Sequence, residues 1–229
     1  GNLTILTDTI VERILYDKKE ERASGVQVID VATNVKKEYH AKVVFLNAAT
    51  LNSNLILLNS TSERFPDGLG NDARVLGHYI AFHNYRGRIT ADFPGYENSY
   101  YYGRRPTQIF IPAFKNIDTS AERFKGSYLI AFGATRSSWG KSAAEGVGAA
   151  YKDGLLEAGG WSISMMMQGE VLPIYQNHVR LSMEKKDKYG LPQLVTSIGY
   201  TANDVAMMED FFEEGSQMLE KSGCTNIQT

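Results

Sequence analysis

Apolar and polar residues alternate with the two-residue period of a strand in several runs along the second half of the chain. Turn residues separate the predicted strands, which are Ile80–Asp92, Thr107–Phe114, Ser127–Thr135, Trp161–Val171, His178–Met183 and Gln193–Tyr200. A helical period then runs through Thr201–Gly223, with Thr201 or Asn203 as the N-cap and Gly223 as the stop. The pattern predicts a mainly antiparallel sheet with a long C-terminal amphipathic helix lying on it.

The first part of the chain has a different pattern. Short ribbons are predicted from Leu3 to Val31, with a charged turn at Asp17–Arg22 and a second hairpin turn at Thr33 and Asn34. The run Val43–Leu46 is continuously apolar, which is typical of a strand buried on both faces, and leucines at helical spacing follow it. The sequence therefore predicts α/β plus α+β architecture.

The composition shifts to Gly, Asn, Asp and Arg between Gly68 and Gly77, which indicates a loop and a domain boundary. We place one domain at residues 1–76 and a second at 77–229. Gly68, Gly70 and Ala73 spell GxGxxA, but this motif follows Pro66 and Asp67 in a loop and does not close a buried strand. It therefore does not indicate a dinucleotide site.

Charge and cysteine content argue against several classes of protein. The chain has 229 residues, with 24 Lys and Arg against 26 Asp and Glu, so its net charge of −2 gives no general attraction to nucleic acid. The single Cys224 forms neither an internal disulfide nor a thiolate metal site, and the four histidines show no HExxH motif. No apolar stretch approaches the roughly 20 residues of a membrane span. We predict no metal site, no nucleic-acid partner and no membrane span.

Three features carry candidate chemistry. The turn Asn47–Thr50 joins the predicted buried strand to a helix, and a helix N-terminus in this position favours an anionic group such as a phosphate. Clustered tyrosines and arginines could stack on a sugar or on another subunit; they are Tyr96, Tyr100, Tyr101, Tyr102, Arg104 and Arg105. This cluster would suit a carbohydrate-binding or interaction module and a homo-oligomer. Ser182 with Lys185 fits SxxK, as does Ser138 with Lys141, but the pattern is common by chance, so a serine hydrolase is the weakest reading.

Three segments in the same order carry a resemblance to a known family. The segment Val43–Leu58 resembles the second signature of the glucose-methanol-choline flavin oxidoreductases: an apolar strand, Ala-Gly-Ala, two residues, Ser-Pro and a leucine-rich helix. Asn2–Val11 resembles the family's strand and turn whose valine lies against the flavin adenine, and Leu76–His83 resembles its Val-Gly-Arg-Asn-Leu stretch ending in Asp-His. Ala49 stands where the family usually has glycine, and Asn54 where it has proline.

The resemblance implies an FAD-dependent oxidoreductase that acts on CH–OH groups of a sugar, polyol or sugar acid. Gln168–Ser182 and the helix from Asn203 resemble the substrate domain of the branch with pyranose oxidases and sugar or gluconate dehydrogenases. The family's GxGxxG loop would precede Gly1 and its catalytic histidine would follow Thr229. The chain then corresponds to the distal part of a glutathione-reductase-like FAD domain plus most of the substrate domain. It would depend on the rest of the polypeptide, bind FAD weakly or not at all alone, and be inactive alone.

The resemblance also implies site residues. Val11 would contact the adenine through its backbone, and Ala48, Ala49 and Thr50 would line the ribose and diphosphate. Gln108 lies in Thr107–Ile109, which resembles a pyranose-oxidase strand facing the sugar, and its amide could both donate to and accept from hydroxyl groups. The alternative for Gln108 is an exposed strand glutamine without a ligand. No catalytic residue is predicted within the chain, and any export signal would lie upstream of Gly1.

Overall fold

The computed structural model describes residues 1–99, 104, 106–118, 123–137, 147–157 and 159–229. Its described elements are three helices and eleven strands. In chain order they are β1 (Thr9–Asp17), β2 (Arg22–Asp30), β3 (Lys36–His40), α1 (Ala49–Asn59), β4 (His83–Asn84), β5 (Arg88–Phe93), β6 (Ile109–Ile111), β7 (Tyr128–Arg136), α2 (Ala149–Leu156), β8 (Trp161–Glu170), β9 (His178–Lys186), β10 (Pro192–Ser197), α3 (Ala202–Lys221) and β11 (Thr225–Gln228).

The chain divides into two compact units, each made of two segments. Unit 1 comprises residues 1–81 and 173–199, and unit 2 comprises residues 82–172 and 200–229. The boundary predicted between residues 76 and 77 lies near residues 81 and 82, where the chain first passes from unit 1 to unit 2. The division into two continuous domains stays a prediction. No helix in the described part of the chain is long and apolar enough to span a membrane.

Unit 1 contains two antiparallel sheets and α1. The strands β1, β2 and β3 form one sheet through successive hairpins, and β9 pairs with β10 in the other. The side chain of Ser60, just after α1, accepts a hydrogen bond from the Ile14 N–H of β1 (2.8 Å) and donates one to the Ile56 carbonyl (2.6 Å). Because Ser60 is buried, this bridge satisfies polar groups that would otherwise be costly, and it fixes the end of α1 on β1.

Unit 2 is a six-stranded sheet with α3 packed on one face. The main strand order is β11-β5-β8-β7-β6, every pairing is antiparallel, and β4 pairs with the C-terminal end of β8. The core contains buried side chains from the sheet, from α3 and from the segments that flank them: Ile89, Ala91, Phe124, Tyr128, Ile130, Met165, Met167, Met207, Phe211, Leu219 and Cys224. The predicted antiparallel sheet and C-terminal helix are confirmed, except that the strands predicted at His178–Met183 and Gln193–Tyr200 form the separate β9–β10 sheet of unit 1. Met165 and Met167 lie in this core, whereas Met166 lines a cavity on the other face of the sheet.

The predicted buried strand Val43–Leu46 is wrong, and the ribbons predicted from Leu3 begin only at Thr9, so the run Leu3–Leu6 is not part of them. Neither run is a strand, and Val43 and Phe45 are 64% and 83% exposed, while Leu3 and Ile5 are 79% and 74% exposed. A strand requires a neighbour that pairs with its backbone groups, and none of the described strands pairs with these segments. Both runs are apolar, but an apolar sequence does not by itself provide a neighbouring strand to pair with.

Two short elements were missed and two predicted strands are shorter than expected. The missed elements are α2, whose N-cap is Gly148, and β11, which follows Gly223. The run Thr107–Phe114 forms a strand only at Ile109–Ile111, and Ile80–Asp92 contains two strands, β4 and β5, separated by Tyr85–Gly87. Short edge strands carry few alternating positions, so periodicity predicts their bounds poorly.

The start of α3 makes a specific stability prediction. Thr201 caps the helix, and its N–H and hydroxyl both donate to Asp204 Oδ2 (2.6 and 2.7 Å), which completes a capping box on a buried carboxylate. Replacing Asp204 with alanine should lower the free energy of unfolding by about 1 to 2 kcal/mol, measured by urea denaturation. Asp204→Asn keeps an acceptor oxygen and should lose less. Glu220→Ala on the exposed face of α3 is the control, and an equal loss there would contradict the capping role.

Candidate functional site

The turn into α1 leaves the helix N-terminus open. Ala48 is the N-cap residue, and among the described residues no side chain caps this end of the helix. The backbone N–H groups of the first helical turn have no partner within the helix, and the helix dipole adds partial positive charge there. Because Ala48 and Ala49 are small and Thr50 is exposed, another group could approach this backbone closely.

Ala49 adopts a backbone conformation that favours glycine. Its φ is +56°, in the left-handed region, which costs an L-residue with a Cβ on the order of 1 kcal/mol. This is the position at which the resembled signature usually has glycine, so the structure gives a physical reason for that glycine. This conformation changes the direction of the backbone at the point where the chain enters α1.

The residues at this turn fit a ligand that is bound through backbone N–H groups. The diphosphate of a dinucleotide such as FAD is such a ligand, and the absence of a side-chain cap among the described residues leaves these donors available to it. Val11 lies on β1 opposite Val28, next to a register shift between Val11 and Arg13, and its side chain is 36% exposed. No hydrogen bond described here joins Val11 to Ala48, Ala49 or Thr50, although all four belong to unit 1.

Unit 2 contains a cavity of about 410 Å³, which we call the sheet cavity. Paired residues of an antiparallel sheet share a face, and Met165 and Met167 point toward α3, so the residues that alternate with them point away from it. Arg88, Met166 and Ala131 form one such row across the sheet, and Ser164 pairs with Gly133 in the next. The full lining is Arg88, Arg104, Pro106, Thr107, Gln108, Ile109, Ala131, Phe132, Gly133, Ala134, Thr135, Ser164 and Met166.

Gln108 lines the sheet cavity, just before β6. Its location is compatible with the predicted contact to substrate, which stays a prediction. Sequence reasoning missed Arg88, Thr135 and Ser164, which lie on three different strands and converge only through strand pairing. The available signal was weak: polar residues at alternate positions within otherwise apolar strands, on the face opposite the core.

Other candidate residues have different surroundings. Ser182 Oγ accepts hydrogen bonds from the backbone N–H groups of Glu184 and Lys185 (3.2 and 2.8 Å), which is a local turn role and supplies no general base. The second SxxK pair, Ser138 and Lys141, lies outside the described residues. So do four members of the aromatic and cationic cluster, which are Tyr100, Tyr101, Tyr102 and Arg105. Of the rest, Tyr96 stacks on Phe93 with ring centroids 5.1 Å apart, and Arg104 lines the sheet cavity.

Comparisons with known proteins agree with the resemblance. Residues 1–83 match the family model described as GMC oxidoreductase. This range includes β1, β2, β3 and α1. A 2-methyl-1,2-propanediol dehydrogenase from Mycolicibacterium austroafricanum is 27% identical in an alignment of 206 residues that covers 82% of this chain. The chain spans only 35% of the length of that relative. The family match over residues 1–83 and the similarity to the dehydrogenase agree with the resemblance to GMC oxidoreductases.

Proposed function

We propose that the chain is part of an FAD-dependent oxidoreductase that oxidises a CH–OH group of a sugar, polyol or sugar acid. The observation that carries this proposal is the match of residues 1–83 to the GMC oxidoreductase family, a family that binds FAD. The relative's name indicates a diol as its substrate, which supports a substrate with more than one hydroxyl group. The branch of pyranose oxidases and sugar or gluconate dehydrogenases remains part of the proposal.

In this proposal unit 1 contributes to the cofactor site. The backbone N–H groups of the first turn of α1 bind the diphosphate, and Ala48 and Ala49 permit close approach because their side chains are small. Val11 contacts the adenine through its backbone. When bound, FAD supplies the acceptor for the hydride that leaves the alcohol carbon. In this proposal no residue of the chain acts as the catalytic base, and the chain alone is inactive.

Unit 2 orients the alcohol in this proposal. The side chains of Gln108, Thr107, Thr135 and Ser164 supply amide and hydroxyl groups to one cavity, and such groups both donate to and accept from substrate hydroxyls. Met166, Ile109 and Phe132 add apolar surface. Mixed linings of this kind are typical of small-molecule sites, in which a few polar groups fix the ligand's orientation.

A flavin titration tests the cofactor site. The protein at its natural length should bind FAD, with the 229-residue chain beside it binding weakly or not at all. In the natural-length protein Thr50→Glu should weaken FAD binding about tenfold or more, because a carboxylate at this helix start repels the diphosphate even though it favours the helix dipole. Flavin fluorescence measures the affinity directly.

The control places the same charge at the other end of the helix. Thr61 is exposed and follows the C-terminal end of α1. Thr61→Glu should therefore leave FAD affinity within about twofold of that of the unsubstituted protein. Equal effects of the two substitutions would contradict a diphosphate site at the α1 N-terminus. A natural-length protein that binds no flavin and still binds polyols would contradict the oxidoreductase and favour a carbohydrate-binding module.

A further inference from the structure

The sheet cavity carries two positive charges without a matching negative one. Arg88 and Arg104 both line it, and none of its described lining residues is Asp or Glu. Within the described residues, neither guanidinium makes an ion pair or a side-chain hydrogen bond, so the donors of both arginines remain available to a ligand. The pair of arginines distinguishes this cavity from one suited to a neutral polyol.

The nearest acidic residue on the same strand does not neutralise the pair. Asp92 lies four positions after Arg88 on β5, which places it about 13 Å along the strand, beyond the screening length of roughly 8 to 10 Å at physiological salt. Asp92 also lines a different cavity, and its Oδ2 accepts a hydrogen bond from Asn226 Nδ2 (2.7 Å). The positive charge of the sheet cavity is therefore left for a ligand to balance.

Polar groups around the arginines can bind hydroxyls. Thr107 and Gln108 lie on the loop beside Arg104, while Thr135 and Ser164 lie on the sheet. Next to Ser164, Gly133 leaves open space above the strand: an added Cβ would have no atom within 4 Å. The cavity volume of about 410 Å³ is within the range of roughly 300 to 1,000 Å³ that is usual for small-molecule sites.

We propose that the sheet cavity selects a hydroxylated carboxylate, with Arg88 and Arg104 holding the carboxylate while the amide and hydroxyl side chains hold the hydroxyl groups. This inference rests on the proposed function, because it assigns a substrate class to the same cavity. Arginine suits the role because its planar guanidinium binds a carboxylate through two parallel hydrogen bonds. Arg88 and Arg104 are then specificity-determining residues of the reaction.

The test compares an acid with a neutral polyol of the same chain length. Isothermal titration of the natural-length protein with sodium gluconate and with D-glucitol should give at least tenfold tighter binding of gluconate at low salt, and the preference should shrink as salt is added. Arg88→Gln and Arg104→Gln should each weaken gluconate binding about tenfold and leave glucitol binding within about twofold. Arg180→Gln, an exposed arginine on β9 of unit 1, is the charge-matched control and should change neither.

A second variant tests the location independently of charge. Gly133 has no positive φ and open space above it, so Gly133→Val should be accommodated in the strand, which thermal unfolding checks. Because its side chain enters the cavity, it should abolish the binding of both ligands. Equal affinity for gluconate and glucitol, or arginine variants that bind gluconate normally, would overturn the inference. If the protein binds flavin but does not prefer gluconate, the proposed function stands and only this inference fails. If the arginine-dependent preference is found without flavin binding, the oxidoreductase proposal fails and this inference stands.

Discussion

Replacing Phe211 with alanine is expected to lower the free energy of unfolding by about 3 to 5 kcal/mol, the usual cost of removing a fully buried aromatic ring. Phe211 has no exposed surface and lies at the centre of α3's contact with the sheet. Its ring meets the Tyr128 ring edge to face, with centroids 6.0 Å apart. Gly87 allows this close packing, since a Cβ there would lie 2.6 Å from Phe211 Cδ1.

Urea denaturation monitored by circular dichroism measures this loss, with Phe110→Ala as the matched control. Phe110 lies on the edge strand β6 and is 55% exposed, so its removal should cost less than about 1 kcal/mol. If the two variants were equally stable, α3 would not be the main cover of the unit 2 sheet. If Phe211→Ala does not fold, its loss of unfolding free energy is larger than expected. Phe211→Leu, which keeps most of the apolar volume, would then be used to measure the contribution of the ring to stability.

The elements that the sequence predicts well are those whose periodicity is long and whose partners are near in the chain. Along α3, Met207, Phe211 and Gly215 recur at helical spacing and are all buried, and Thr201, one of the two N-cap residues that the sequence offered, caps the helix. The hairpins of β1 to β3 follow from their turns. Val43–Leu46 was misread because a buried strand and an exposed apolar run have the same composition, and only pairing partners distinguish them.

The candidate site residues also differ in how well the sequence predicts them. The open start of α1 was predictable because one short segment contains all of it, and the positive φ of Ala49 explains the glycine of the resembled signature. Of the sheet cavity, the sequence pointed only to Gln108 and Arg104. Its other polar members come from β5, β7 and β8, and their convergence depends on register, which a single sequence does not specify at such distances.

A partly buried polar cluster beside α3 links Tyr128 to three charged residues. The Tyr128 hydroxyl donates to Asp210 Oδ2 (2.7 Å), and Lys115 Nζ lies 3.2 Å from Asp210 Oδ1 and 2.7 Å from Glu214 Oε1. Burial, together with the bond to Asp210, raises the pKa of Tyr128 far above its ordinary value of 10.0. Burial alone would lower the pKa of Lys115, but its hydrogen bonds to Glu214 and Asp210 outweigh this effect and raise it. The native state therefore holds the Tyr128 proton where the unfolded chain releases it.

Alkaline pH should therefore destabilise the protein through Tyr128. Below pH 10 the hydroxyl is protonated in both states, whereas above pH 10 only the unfolded chain loses this proton, so each further pH unit costs about 1.4 kcal/mol of unfolding free energy. Tyr128→Phe should lose about 1 kcal/mol at pH 7 with its hydrogen bond, and its stability should then fall less steeply between pH 10 and 11.5. Urea midpoints across this pH range measure both slopes, with Tyr39→Phe at an exposed position as the control. Because Lys115 is present in every variant, its own contribution cancels, and parallel curves for the wild type and Tyr128→Phe would contradict a retained proton on Tyr128.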